Sequence, residues 1–170
     1  MKILITGTVA SGKTTLAKRL SEEFAIPWHE LDEIVRPLCR DRRKRTREEQ
    51  LEVISRIDRD ESWIFEGTNR ASYRYLFDMA DMVIYINPPL VVRSLRILTR
   101  FIKQKFGLET SLYRPNLYML GMMFKWTFDF EKNRRSFNSF LEQFNHKLIE
   151  VKSMAKIDWS QRLELSSSPA

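Results

Sequence analysis

The chain has one cysteine, Cys39, in 170 residues. A single thiol cannot close an intramolecular disulfide or build a cysteine zinc site, which excludes a disulfide scaffold and fits a reducing, cytoplasmic compartment. Long hydrophobic runs are missing as well. The longest, Leu117 to Phe124, stops at Lys125, whereas a membrane span takes roughly twenty apolar residues. Neither a membrane span nor a membrane partner is expected. The first residues lead within six positions into a glycine loop, which leaves no stretch for a signal peptide. What a folded core takes is present: 43% of residues are hydrophobic and 12% aromatic, which argues against disorder, and the length suits one domain and not two. We read residues 1–165 as a single domain and residues 166–170, Ser166 to Ala170, as a frayed tail.

Acidic residues are scarce in one place. From Arg36 to Arg47 seven basic residues face a single acid, Asp41, so this segment carries +6 of the net +7. Local basicity of this kind fits one anion-binding patch better than a general nucleic-acid coat, and a solvated charge run is the plain alternative.

The apolar spacing alternates between strand and helix. Ile3-Leu4-Ile5-Thr6 reads as a strand, and Leu16, Ala17, Leu20 and Phe24 form the buried face of a helix ending before Pro27. Trp28 to Leu31 makes a second strand. Thr46 and Glu49 have the spacing of a capping box, ahead of a helix of about twelve residues burying Leu51, Val53, Ile54 and Ile57. Trp63-Ile64-Phe65 and Met82-Val83-Ile84-Tyr85-Ile86 are strands apolar on both faces, with a short helix through Tyr73, Leu76, Phe77 and Ala80 between them. After Asn87-Pro88-Pro89 a helix is expected to bury Val91, Leu95, Leu98 and Ile102, with Arg93, Arg96 and Arg100 on a neighbouring face. Leu117 to Phe128 reads as a helical excursion, and a further long helix turns Phe137, Phe140, Leu141, Phe144, Leu148 and Val151 inward. A last strand is expected over Ala155, Ile157 and Trp159. Near-continuously apolar strands alternating with helices imply a three-layer α/β fold around a parallel five-stranded sheet.

Gly7-Thr8-Val9-Ala10-Ser11-Gly12-Lys13-Thr14 fits G-x-x-x-x-G-K-[ST], a phosphate-binding loop. The glycines let backbone N–H groups turn inward around phosphate oxygens, Lys13 neutralises the β and γ phosphates, and the Thr14 hydroxyl is placed to ligate Mg²⁺. At average residue frequencies such a string arises in only ~1% of chains of this length, and here it sits between an expected strand and an expected helix. Gly7, Thr8, Ala10, Ser11, Gly12, Lys13, Thr14 and Thr15 are therefore the candidate ATP-binding residues. The loop after the third strand, Glu66-Gly67-Thr68-Asn69-Arg70, should open onto the same crevice.

With these residues the chain resembles the adenylate kinase-like family of small P-loop phosphotransferases, closest to its topology-modulation (FlaR-like) branch. The likeness is carried by Glu30-Leu31-Asp32, by Trp63 to Gly67, and by Pro88-Pro89 followed by the spaced arginines to Arg100. It implies an ATP- and Mg²⁺-dependent kinase with residues 33–60 as an acceptor-binding insertion and residues 101–135 as a lid-region excursion. By that resemblance Arg96 and Arg100 match the arginine pair at a lid hinge, Arg134 and Arg135 are candidates for arginines beyond the lid, and Arg36, Glu66 and Arg70 would meet the acceptor. Asp32 stands where related kinases hold or deprotonate a hydroxyl acceptor, or else it caps the following helix. Lys13, Asp32, Arg96, Arg100 and Arg134 are thus the candidate catalytic residues.

Two departures from the family pattern stand out. Asn87 replaces an aspartate often found at the end of the fourth strand, shifting Mg²⁺ ordering to Glu66 or Asp32, and Met119, Met122, Met123, Phe124, Trp126 and Phe128 stand in place of a short lid, as a lid, a dimer surface or, most simply, core. His29 and His146 read as structural. The implied acceptor is a nucleotide, nucleoside or other small molecule. The alternative is a nucleotide-regulated nucleic-acid binder that grips through the basic stretch.

Overall fold

The computed structural model describes residues 1–37, 43–108, 116–153 and 159. Five parallel strands, β1 (Lys2–Gly7), β2 (Trp28–Glu30), β3 (Trp63–Gly67), β4 (Met82–Ile86) and β5 (Leu148–Val151), form one sheet in the order β2-β3-β1-β4-β5. Among the described residues the helices against it are α1 (Lys13–Phe24), α2 (Leu31–Val35), α3 (Arg47–Asp58), α4 (Tyr75–Met79), α5 (Leu90–Lys105) and α6 (Leu117–Glu142). A 3-10 turn, Ala71–Tyr73, precedes α4.

The side-chain alternation of the strands builds both outer layers. Ile3, Ile5, Ile64, Ile84 and Ile86 point to one face, where α1 lays Leu16, Ala17 and Leu20 and where Trp159 is buried. Leu4, Trp63, Phe65, Val83 and Tyr85 point to the other, against Leu31 and Ile34 of α2, Ile54 of α3, Leu76 and Phe77 of α4, and Phe137 and Leu141 of α6. Each fully buried aliphatic or aromatic side chain contributes about 1.5–3 kcal/mol, so these two clusters hold the sheet between helices. The expected three-layer architecture is the one observed. The capping box also forms, with Thr46 Oγ1 accepting from the Glu49 N–H and Glu49 Oε2 accepting from the Thr46 N–H, at 3.3 and 2.7 Å.

Several expectations are corrected. The fifth strand is Leu148–Val151, so Leu148 and Val151 do not belong to the long helix. Ala155 and Ile157 lie outside the described residues, as does the frayed tail, and Trp159 is a core residue and not a strand residue. The excursion and the long helix are one continuous α6 of 26 residues. Within it Met123 is buried but Trp126 and Phe128 are exposed, so the methionine and aromatic segment is only partly core. Leu51 of α3 is exposed. The largest correction is α5: Arg93, Ile97 and Gln104 face inward, and Val91, Leu95, Leu98 and Ile102 face solvent. The physical reason is Arg93, whose fully buried guanidinium has three acceptors, Thr8 Oγ1 at 3.1 Å, the Pro88 carbonyl at 3.0 Å, and Glu131 of α6. That set fixes the rotation of the helix.

Candidate active site

The strand order reverses at β1, which lies between β3 and β4. In an open parallel sheet the crevice for a ligand opens there, beyond the carboxyl ends of the strands. The loop from Gly7 to Gly12 occupies this position. A Cβ on Gly7 would stand 2.5 Å from the Ile86 carbonyl oxygen and 2.8 Å from Ser11 Oγ, so only glycine lets the loop leave β1 at this point. Ala10 and Gly12 adopt left-handed backbone, with φ of 57° and 106°. Such left-handed steps turn successive N–H groups toward one concavity, a nest for an anion. Gly12 is also the N-cap of the twelve-residue α1 and supplies no side-chain acceptor to its first turn. The N–H groups there, with the helix dipole behind them, are suited to phosphate oxygens.

Lys13 is half-buried and folds back over the loop, Nζ donating to the Thr8 carbonyl at 2.8 Å. Burial lowers the pKa of its ammonium, and Arg100 lowers it further, against the opposing charges of Glu66, Asp32 and Glu30. Arg96 Nη1 donates to the Ser11 carbonyl at 2.8 Å, which draws α5 against the loop. Lys13, Arg96 and Arg100 therefore share one neighbourhood. Thr8 is buried under Arg93, Thr14 is half-buried, and Thr15 is exposed in the first turn of α1.

Thr14 Oγ1 donates to Glu66 Oε1 at 2.5 Å. This pairs a hydroxyl with a carboxylate from the end of β3, hard oxygen donors of the kind Mg²⁺ accepts alongside water and phosphate. Among the described residues no group of three or more acidic, histidine or cysteine side chains could hold a metal ion by itself. Burial raises the pKa of Glu66, opposed by Lys13 and by the Thr14 hydrogen bond. On the adjacent strand Glu30 pairs in register with Glu66. Burial, with Glu66, Asp32 and Glu33 adding to it, pushes Glu30 up to about 7.

Across the crevice Arg70 Nη2 meets Asp32 Oδ1 at 2.5 Å, joining the end of β2 to the loop after β3. Asp32 is the second residue of α2 and makes no side-chain cap, because the N-cap is Glu30. Its expected alternative role as a cap is not what the fold uses. Arg36 is exposed at the other end of α2. Arg134 bonds Glu131 at 3.2 Å, and Glu131 in turn holds Arg93, so Arg134 stands beside the network under the loop. Asn87 is buried and donates to Glu150 of β5 at 2.8 Å. Of the basic stretch, residues 38–42 lie outside the described residues; Arg43 pairs with Glu49, and Arg45 donates to the Ile34 carbonyl.

Sequence reasoning missed Arg93 and Glu131 as parts of the site. The only signal was an arginine in phase with Arg96 and Arg100. Glu30 was also missed as a titrating neighbour of Glu66, although the two close their strands side by side.

A profile described as an AAA domain matches residues 2–79, less than half of the chain. No curated protein matches. Among solved structures, shikimate kinase from Aquifex aeolicus is similar at 18% identity, covering 98% of this chain and 95% of that one, with a TM-score of 0.53. Shikimate kinase from Acinetobacter baumannii in complex with shikimate is similar at 16% identity over 95% of this chain and 89% of that one, with a TM-score of 0.54. An uncharacterized protein from Eubacterium ventriosum is 15% identical over 96% and 93%, with a TM-score of 0.50. The chain has the P-loop NTPase fold. At these identities the likeness speaks for the fold, and no helix among the described residues is long and apolar enough to cross a membrane.

Proposed function

We propose that this protein is an ATP-dependent phosphotransferase of the small nucleotide or nucleoside kinase type, which moves the γ-phosphate of ATP to a small acceptor. The observation that carries this reading is the Asp32–Arg70 pair, a carboxylate and a guanidinium joined across the crevice at the same sheet end as the phosphate loop. A protein that only bound nucleotide would have no use for a second polar pair there.

In this reading the loop amides and Lys13 hold the β and γ phosphates, and Arg96 and Arg100 add charge around the transferring group. Phosphoryl transfer asks little covalent chemistry of the protein and much positive charge and positioning. Mg²⁺, when bound, neutralises phosphate charge, and Thr14 and Glu66 are the residues that would hold it. For a hydroxyl acceptor, Asp32 accepts the hydroxyl proton as the acceptor oxygen bonds to the γ phosphorus and the bond from that phosphorus to the β,γ-bridging oxygen breaks, leaving ADP. Arg70 orients Asp32 and offers its remaining donors to an anionic group of the acceptor. The names of two similar structures, both shikimate kinases, support a small acceptor. The likeness to the topology-modulation branch belongs to this proposal, as do the division of the chain into acceptor insertion and lid region and its cytoplasmic location.

Arg70→Ala tests the assignment. The KM for acceptor should rise at least about tenfold while the KM for ATP stays within about twofold, because uniform binding to one substrate is lost. Equal weakening of both substrates would contradict it.

A further inference from the structure

We infer that Glu131, on α6, is a positioning residue of the phosphate loop, acting on Thr8 and Lys13 through Arg93. The inference rests on the proposed binding of ATP at this loop and not on the transfer step. Thr8 is the residue on which the loop closes. Its carbonyl accepts from the Lys13 ammonium at 2.8 Å and from the Ser11 N–H at 3.4 Å, so the placement of Thr8 sets where the cation of the loop sits. The side chain of the same residue is buried, and its Oγ1 accepts from Arg93 Nη1 at 3.1 Å. Two further bonds direct that guanidinium: Nε donates to the Pro88 carbonyl at 3.0 Å, and Nη2 donates to Glu131 Oε1.

An arginine does not shed its proton in a protein. At 0% exposure the guanidinium of Arg93 therefore keeps its place only while a counter-charge stands beside it. Glu131 supplies that counter-charge. Without it the guanidinium is better solvated turned toward water, and Thr8 then loses the donor that fixes it. A brace for the fold alone would not need this placement. Helix α6 is already packed on the sheet through Phe137 and Leu141, and Glu131 is 25% exposed, so it fills no hole in the core. Its contacts lead to the loop instead, across 38 residues to Arg93 and a further 85 to Thr8. The other carboxylate oxygen holds Arg134 at 3.2 Å, a second route by which Glu131 could act. The route through Arg93 is the one the geometry favours, because Arg93 bonds the loop itself whereas Arg134 bonds Glu131.

Calorimetric titration of ATP with Mg²⁺ into the full chain decides it, with Glu131→Gln, Thr8→Val and the double variant beside the wild type. Glu131→Gln keeps an acceptor for Arg93 and removes the charge, and Thr8→Val removes Oγ1 and keeps the branched shape. Each should weaken ATP binding about fivefold, an effect of the size expected for a residue that acts on a site through its neighbours. The double variant should also lose only about fivefold, because both changes cut the same path. Thermal unfolding of the same samples shows that each is folded at the titration temperature. An unchanged ATP affinity in Glu131→Gln, with only a lower Tm, would make Glu131 a structural residue and overturn the inference. So would losses that multiply in the double variant to about 25-fold. A loss reproduced in full by Arg134→Gln, with Thr8→Val silent, would overturn it too and assign the effect to Arg134. A wild type that binds ATP but moves its phosphate to no acceptor contradicts the proposed function alone, and a wild type that binds no ATP overturns both.

Discussion

Replacing Arg93 by methionine removes a fully buried cation that ties α5 and α6 to the phosphate loop. Its guanidinium is 0% exposed, and its loss leaves Thr8 Oγ1, the Pro88 carbonyl and Glu131 short of a donor. Breaking a buried ion pair from one side costs about 3–5 kcal/mol. Glu131 is 25% exposed and keeps Arg134 on its other oxygen, which sets the expected loss near the low end, about 3 kcal/mol. For a chain of this length that corresponds to a fall in Tm of about 6–12 °C. Thermal unfolding followed by circular dichroism measures it. Arg93→Met/Glu131→Leu should recover part of the loss, because no uncompensated charge is left on Glu131, while Thr8 Oγ1 and the Pro88 carbonyl still lack their donor. The pH dependence has a definite sign. Burial acts to raise the pKa of Glu131, but Arg93 and Arg134 outweigh it and hold the carboxyl below its usual range. Its contribution is therefore present above the unfolded-state value and is lost as the pH falls through the native one, and Arg93→Met should flatten this acid loss. A Tm drop under about 2 °C, or a double variant no better than the single, would refute the reasoning.

Lys13→Ala should weaken ATP binding at least about tenfold while changing stability by no more than about 1 kcal/mol, as read by calorimetric titration and thermal unfolding on the same sample. Glu30 carries a native pKa of about 7 against an ordinary 4.5, so its native state binds more protons and wild-type stability falls as the pH rises from the ordinary value to the native one. Glu30→Gln should therefore be more stable than wild type above neutrality, with the difference shrinking toward zero in acid; denaturant midpoints at several pH values show it.

The parts legible in the sequence were those where local pattern and tertiary role agree. The loop from Gly7 to Thr14, the strands over Ile3 and Met82, and the Thr46 capping box each carry a signal that no distant contact overrides. The phase of α5 was not legible, because apolar spacing alone puts Leu95 and Ile102 inside. Three acceptors supplied by Thr8, Pro88 and Glu131, up to 38 residues away on one side and 85 on the other, pay for burying Arg93 instead. The fifth strand was hidden for a different reason. Leu141, Phe144, Leu148 and Val151 continue a helical spacing across the end of α6, and neither glycine nor proline marks the turn between Glu142 and Leu148. The Asp32–Arg70 contact could be placed only at the level of a shared crevice, since one half opens α2 and the other stands in the loop after β3.

Transfer of labelled phosphate from ATP is the most direct test of the central claim. The wild-type chain, given Mg²⁺ and a panel of nucleoside monophosphates, nucleosides, polyols and 5′-hydroxyl oligonucleotides, should move the γ-phosphate to one class of small acceptor; Lys13→Ala should abolish that product, and Arg70→Ala should reduce it when the acceptor is below saturation. ATP binding without transfer to any small acceptor, joined to duplex DNA affinity that falls steeply with salt, would contradict the account and favour a nucleotide-regulated nucleic-acid binder.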